Sequence, residues 1–181
     1  MQPFRRLLLL AALCLVLAGC VSSGDPSAVQ PIAVSGSEAL APLNAYRERN
    51  GLSPVTIDER LTRAAERQSR EMAARDTMGH SVAGRLPARV EAVGYDWAAM
   101  AENLGRGYPS YASAMEGWIG SPSHRVNLLN ERVTHVGVAA ARDTRSGRLY
   151  WTQIFAAERP PRGEGGGDIA FRGAPFPLPS R

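Results

Sequence analysis

The sequence contains no lysine: all 21 basic residues are arginine. Its only cysteines are Cys14 and Cys20, and its only histidines are His80, His124 and His135. Each scarcity excludes something. Two cysteines this close to the start cannot staple a domain, so stability must come from an ordinary apolar core, and a zinc site of the Cys2His2 kind cannot be built. The metalloprotease pattern H-E-x-x-H is absent. No apolar run approaches the roughly 20 residues that span a bilayer. The formal charge of +4 falls to +2 once Arg5 and Arg6 are set aside, too little to argue for nucleic acid as a partner.

What is present begins with a leader. Arg5 and Arg6 precede an apolar run from Leu7 to Leu17, followed by Ala18, Gly19 and Cys20, which is the plan of a secretory signal peptide over residues 1–19. The ending L-A-G-C resembles the bacterial lipobox, in which cleavage precedes the cysteine and the new terminus receives acyl chains. That resemblance implies Cys20 as a lipid anchor and the membrane as a partner; several acyl chains hold firmly where one is marginal, at about 0.8 kcal/mol per buried methylene. Val21, where aspartate would retain such a protein at the inner membrane, implies by the same resemblance the outer membrane, facing the periplasm.

Composition then divides the chain. Residues 20–37 carry Ser, Gly and Pro without a period and read as a lipidated start and flexible tether. Residues 38–158 form one domain of about 120 residues, enough to bury roughly two-thirds of its unfolded surface. The tail, 159–181, is rich in Pro and Gly and reads as disordered.

Within the domain, periodicity predicts helices first and strands last. Ser37 is the expected N-cap of a helix with Leu40, Leu43 and Tyr46 on one face, Pro42 in its first turn and Gly51 as its stop. The capping-box pattern from Thr56 to Glu59 opens a second helix to about Asp76, with Leu61, Ala64, Ala65, Gln68 and Met72 inward. Its outer face spaces Glu59 and Arg63, Glu66 and Arg70, and Glu71 and Arg75 as i, i+4 pairs, so a solvated, self-paired surface is expected. Residues 79–84 are a loop, Pro87 to Val93 a short helix, and 101–107 a strand or extended segment. Ser110 caps a helix that runs to Trp118. Ser121 and Pro122 start the next, the serine hydroxyl accepting from a free backbone N–H and His124 lying in the first turn, where the helix dipole favours a neutral imidazole. Residues 134–142 and 148–157 form a hairpin; Leu149, Trp151 and Phe155 point one way and Tyr150, Ile154 and Ala156 the other, so both faces of the sheet are covered. Helices before a two-sided antiparallel sheet imply an α+β fold, a three-layer α-β-α sandwich.

Candidates for chemistry are few. Ser81, in GHSVA, is one residue away from a G-x-S-x-G nucleophile elbow, but an arginine-rich helix rather than a strand precedes it. His80 in a glycine-bounded loop, Glu102 in a segment expected to be partly buried and His124 at a helix start remain; taken alone, they read as satisfied polar residues pinning loops to the sheet. Taken together, GHS at 79–81, AEN at 101–103, Trp118 before SPSHR at 121–125, VGV at 136–138 and YWTQIF at 150–155 resemble the CAP superfamily, or SCP domain, which joins cysteine-rich secretory, antigen 5 and pathogenesis-related 1 proteins. The resemblance covers about residues 38–157, and the bacterial branch, which typically shows S-P-G-H-R and lacks disulfides, is the nearer match; Ser123 stands where glycine is usual. It implies the same sandwich, with a cavity lined by two histidines and two acids that holds a divalent metal in some members. His80, Glu102 and His124 would occupy three of those places; the fourth falls on Ser121. Three protein ligands with an open position would suit Zn2+. Two functions are therefore expected to compete. One is a non-enzymatic, lipid-anchored module binding an envelope lipid, glycan or protein through the cleft. The other is a metal-assisted hydrolase, peptidase-like, in which His80 and His124 hold Zn2+ or another divalent cation and Glu102 is third ligand or general base.

Overall fold

A computed structural model describes residues 28–160. The leader, Cys20 and the tail beyond residue 160 lie outside the described residues. The tether expected over 20–37 ends earlier than composition suggests, because Val29–Ile32 form a strand, β1, against the later hairpin. A four-residue strand whose burial pattern does not alternate leaves little trace in sequence.

Helix α1, Gly36–Arg49, starts two residues before the expected cap: Ser35, not Ser37, accepts from the Glu38 N–H at 3.1 Å. Pro42 therefore lies in the second turn rather than the first. After Gly51, which adopts a positive φ of 76°, the two-residue strand β2, Thr56–Ile57, leads into α2, Glu59–Ala74. Asp58 rather than Thr56 caps α2, accepting from the Arg60 N–H at 2.8 Å. All five residues of its expected inward stripe are buried. Of the three expected i, i+4 ion pairs only Glu71 and Arg75 close, at 2.9 Å.

Helix α3, Leu86–Glu91, strand β3, Trp97–Arg106, and helices α4, Tyr111–Gly120, and α5, Pro122–Leu128, follow, and the hairpin of β4, His135–Asp143, and β5, Leu149–Glu158, completes the domain. The strand order is β1-β4-β5-β3, antiparallel throughout, with β2 pairing parallel to the first residues of β4. Leu149, Trp151 and Phe155 join the core under α1, α4 and α5; Ile154 and Ala156 pack beneath α2 and α3, and Tyr150 beneath α2. The three-layer α-β-α sandwich is the observed architecture, and β3 is its edge strand on the side away from β1. Among the described residues no helix is long and apolar enough to cross a membrane.

The layers are locked at two points that matter later. Buried Arg47 on α1 donates to the carbonyls of Leu128 and Asn130 at 2.9 and 3.0 Å and so holds the end of α5. Buried Gln68 on α2 donates to the Gly79 carbonyl at 2.6 Å and accepts from the Ala83 N–H at 3.1 Å, holding both ends of the 79–84 loop. Helix α2 lies close against the sheet at Gly137, where an added Cβ would overlap the backbone of Leu61 and Thr62. Backbone on both sides cannot yield by a rotamer change, so Gly137→Ala should cost about 3 kcal/mol, the upper range for overpacking. Urea unfolding followed by circular dichroism checks this; a loss below about 1 kcal/mol would mean that α2 can lift without disturbing the core.

Candidate functional site

The site gathers at the free edge of β3, where side chains from both faces of the sheet can meet. Glu102 projects to the α2 and α3 side, as its neighbour Leu104 does; Asn103 projects to the α4 and α5 side, beside Gln153. His80 arrives from the 79–84 loop and His124 from the first turn of α5.

Glu102 is the centre. Its side chain is 2% exposed, and its two oxygens are engaged separately: Oε1 accepts from His80 Nδ1 at 2.8 Å and Oε2 from Arg89 Nη2 at 2.6 Å. Arg89, 1% exposed on α3, also donates to the Gly84 carbonyl at 3.0 Å and the His80 carbonyl at 3.2 Å, so one guanidinium holds the carboxylate and the loop that carries the histidine. Its Nη1 is buried and has no acceptor among the described residues. A carboxylate only accepts, so the proton of neutral His80 sits on Nδ1 and Nε2 is left as an acceptor on a side chain 64% exposed.

On the other face, Asn127 of α5 donates to the Glu102 carbonyl at 3.1 Å and to Asn103 Oδ1 at 2.9 Å, and Asn103 donates to the His124 carbonyl at 3.3 Å. The network continues inward: Asn103 donates to Gln153, which donates to the Tyr111 hydroxyl at 2.8 Å. These bonds dock α5 on the open strand edge and thereby aim His124. Ser121 bounds α5 as expected, but its hydroxyl makes no capping bond to a backbone N–H; it lies 2.9 Å from His124 Nδ1 and 3.1 Å from the Ser123 hydroxyl. The imidazole takes the bond expected to go to the backbone. Burial first, and the charge of nearby His80 second, hold the His124 pKa below its ordinary value. The neutral bias is thus in the expected direction, with desolvation as the leading cause.

His80, Glu102 and His124 are neighbours, but they do not form a metal triad. Among the described residues no group of three or more His, Cys, Asp or Glu side chains is placed to hold a metal ion. Glu102 has both oxygens occupied, and the Arg89 guanidinium brings a positive charge to the place where a cation would add another. The residues present do not fit the metal. The third histidine, His135, is elsewhere, its Nδ1 2.7 Å from the Tyr95 hydroxyl.

Sequence reasoning passed over Arg89, Asn103 and Asn127 as functional residues. Asn103 and Asn127 sit beside chosen positions and so were within reach. Arg89, on a six-residue helix among many arginines, carried no such signal.

An antiparallel sheet between two helical layers, with one histidine from a loop and one from a helix brought to its edge strand, defines a class, and comparison with known proteins gives the family. The model of the cysteine-rich secretory protein family, CAP, matches residues 40–155, and the chain belongs to that family. It is 32% identical over 114 residues to the uncharacterized protein YkwD of Bacillus subtilis, covering 62% of this chain and 43% of YkwD. It is 31% identical over 123 residues to the uncharacterized membrane protein YlbC of the same organism, covering 67% of this chain and 34% of YlbC. The chain thus spans less than half the length of these curated relatives. Among solved structures, an extracellular SCP-domain protein of Bacillus anthracis superposes with a TM-score of 0.60 at 25% identity, covering 67% of this chain and 40% of that one. An outer surface protein of Borrelia burgdorferi shares the fold, with a TM-score of 0.63 at 19% identity over 72% of this chain and 98% of its own.

Two outcomes follow from the geometry. Glu102→Ala leaves Arg89 buried and uncompensated and should cost about 3–5 kcal/mol in urea unfolding; a loss near zero would show that Arg89 is held by the loop carbonyls alone. His124, whose folded pKa lies below its ordinary 6.5, contributes stability that is complete above that value and lost as pH falls through the folded pKa. Between about pH 7 and 5 the melting temperature should fall further in the wild type than in His124→Gln, and equal falls would place the titration elsewhere.

Proposed function

We propose that this chain is a lipid-anchored CAP-domain protein of the bacterial envelope that binds an envelope component through the His80, Glu102 and His124 cleft without turning it over. The observation that carries this reading is the commitment of Glu102: one oxygen to Arg89, the other to His80. That arrangement builds a rigid hydrogen-bonding surface and leaves no ligand set for a cation. It also divides the parts of a hydrolytic triad. The carboxylate backs His80, whereas the serine hydroxyl contacts His124, which has no carboxylate partner among the described residues. Nucleophile, base and orienting acid therefore do not line up.

A binding role also accounts for Met78 and Val126. They are the exposed large hydrophobic residues among the described ones, and each lies two positions from a site histidine. Apolar contacts beside two imidazoles suit a partner with both apolar and hydrogen-bonding groups, such as an envelope lipid, glycan or protein. Anchoring through Cys20 would hold the module at the outer membrane, facing the periplasm, within reach of such components.

The test has three parts. Palmitate labelling in cells should mark the wild type and not Cys20→Ser. A photo-crosslinking residue at Val126 should capture an envelope component, and His80→Ala should reduce capture while the protein stays folded. Zn2+ and chelator should leave the melting temperature unchanged. A Zn2+-dependent rise that His80→Ala abolishes, together with metal-dependent peptide hydrolysis, would replace the binding reading with the metal-assisted hydrolase.

A further inference from the structure

We propose that residues 171–176 of this chain, FRGAPF, lie in the groove between β1 and α2 and close the seam beside the strand through which the chain enters the fold. Two clefts of about 240 and 380 Å³ meet there, since Ile32, Ala33 and Glu66 line both. The lining is apolar on the sheet side. Ala139 and Ala140 of β4 join Ile32 and Ala33, and alanine leaves open the space that a larger side chain would fill. Along α2 the wall runs from Glu59 through Thr62 and Glu66 to Arg70, a length of about 17 Å at the rise of an α-helix.

Composition and spacing name the occupant. Beyond Pro160 the sequence is rich in glycine as far as Gly167, which suits a linker. Residues 169–179, IAFRGAPFPLP, then carry two phenylalanines, an isoleucine and a leucine with one base and no acid. Pro175, Pro177 and Pro179 bias the residue before each toward extended backbone and offer no N–H of their own. Such a stretch suits a groove better than a sheet edge, and it loses little freedom on docking. From Phe171 to Phe176 an extended chain spans at most about 17 Å, which matches the wall of α2.

Reach and charge give the direction. Glu158, two residues before the described part of the chain ends, is held at 2.9 Å by Arg60 in the first turn of α2, next to Glu59. From Pro160 to Phe171 the chain extends up to about 38 Å, well beyond the roughly 10–12 Å width of the helix it must pass. Phe171 therefore arrives at the Glu59 end. Apolar contact supplies the affinity, since residues 58–76 hold five arginines and five acids and carry no net charge. The groove itself is more selective. Arg63 and Arg67 line the outer cleft and not this one, while Glu59 and Glu66 line it without closing an ion pair among the described residues. Arg172, next to Phe171, falls beside these two carboxylates. The docking depends on neither the acyl anchor nor the cleft at β3.

The chain from residue 20 onward with Cys20→Ser has no cysteine of its own, so a reporting pair can be placed in it. Thr62→Cys with Gly173→Cys puts one thiol on the wall of the groove and the other between the two phenylalanines. Under mild oxidation a disulfide within single chains should close about tenfold faster than in Glu116→Cys with Gly173→Cys, whose first thiol stands exposed on α4 in the opposite layer. Ala33→Cys in place of Thr62→Cys reads the other wall and should give the same result. Adding Phe171→Ala and Phe176→Ala should bring both groove pairs down to the rate of the α4 pair, with melting temperatures unchanged. Equal rates for the groove and α4 pairs, or rates that ignore the two phenylalanines, would overturn the proposal. A disulfide formed only between two chains would also overturn it and give the groove to a second copy.

Discussion

A carboxylate buried at the edge of a sheet is the constraint on which this site depends. Glu102 cannot stay charged at 2% exposure without partners, and it takes one from each direction: Arg89 from within the fold and His80 from the loop above it. Through that single group the short helix α3, the 79–84 loop and the edge strand become one unit. Gln68 holds the same loop from α2, so the position of His80 is determined twice.

The edge strand also explains how two helical layers can share a site. Alternate residues of β3 face opposite sides, and its outer edge is covered by side chains of α5 rather than by another strand. Asn127 caps the Glu102 carbonyl while Asn103 reaches back to the His124 carbonyl. An open strand edge is a liability in a β protein, and here the groups that protect it also aim the histidine.

Much of this was legible in the sequence because it follows from periodicity. Alternation from Leu149 to Ala156 placed each residue on its correct face, the stripe of α2 was found residue by residue, and the order of short motifs pointed to the family and to His80, Glu102 and His124. The departures share a cause. Which hydroxyl caps a helix, whether Glu66 reaches Arg70, and whether a strand forms at Val29–Ile32 depend on free-energy differences of about 1 kcal/mol between local alternatives, and neighbours distant in sequence settle them. Ser121 lost its capping role because a histidine was closer. By itself the sequence determined the layers, the core faces and which polar residues were out of place, since burial patterns repeat along the chain. Only the tertiary structure decided that Glu102 is partnered by Arg89, because a buried charge needs an opposite charge within reach, and a separation of 13 positions along the chain carries no record of that distance.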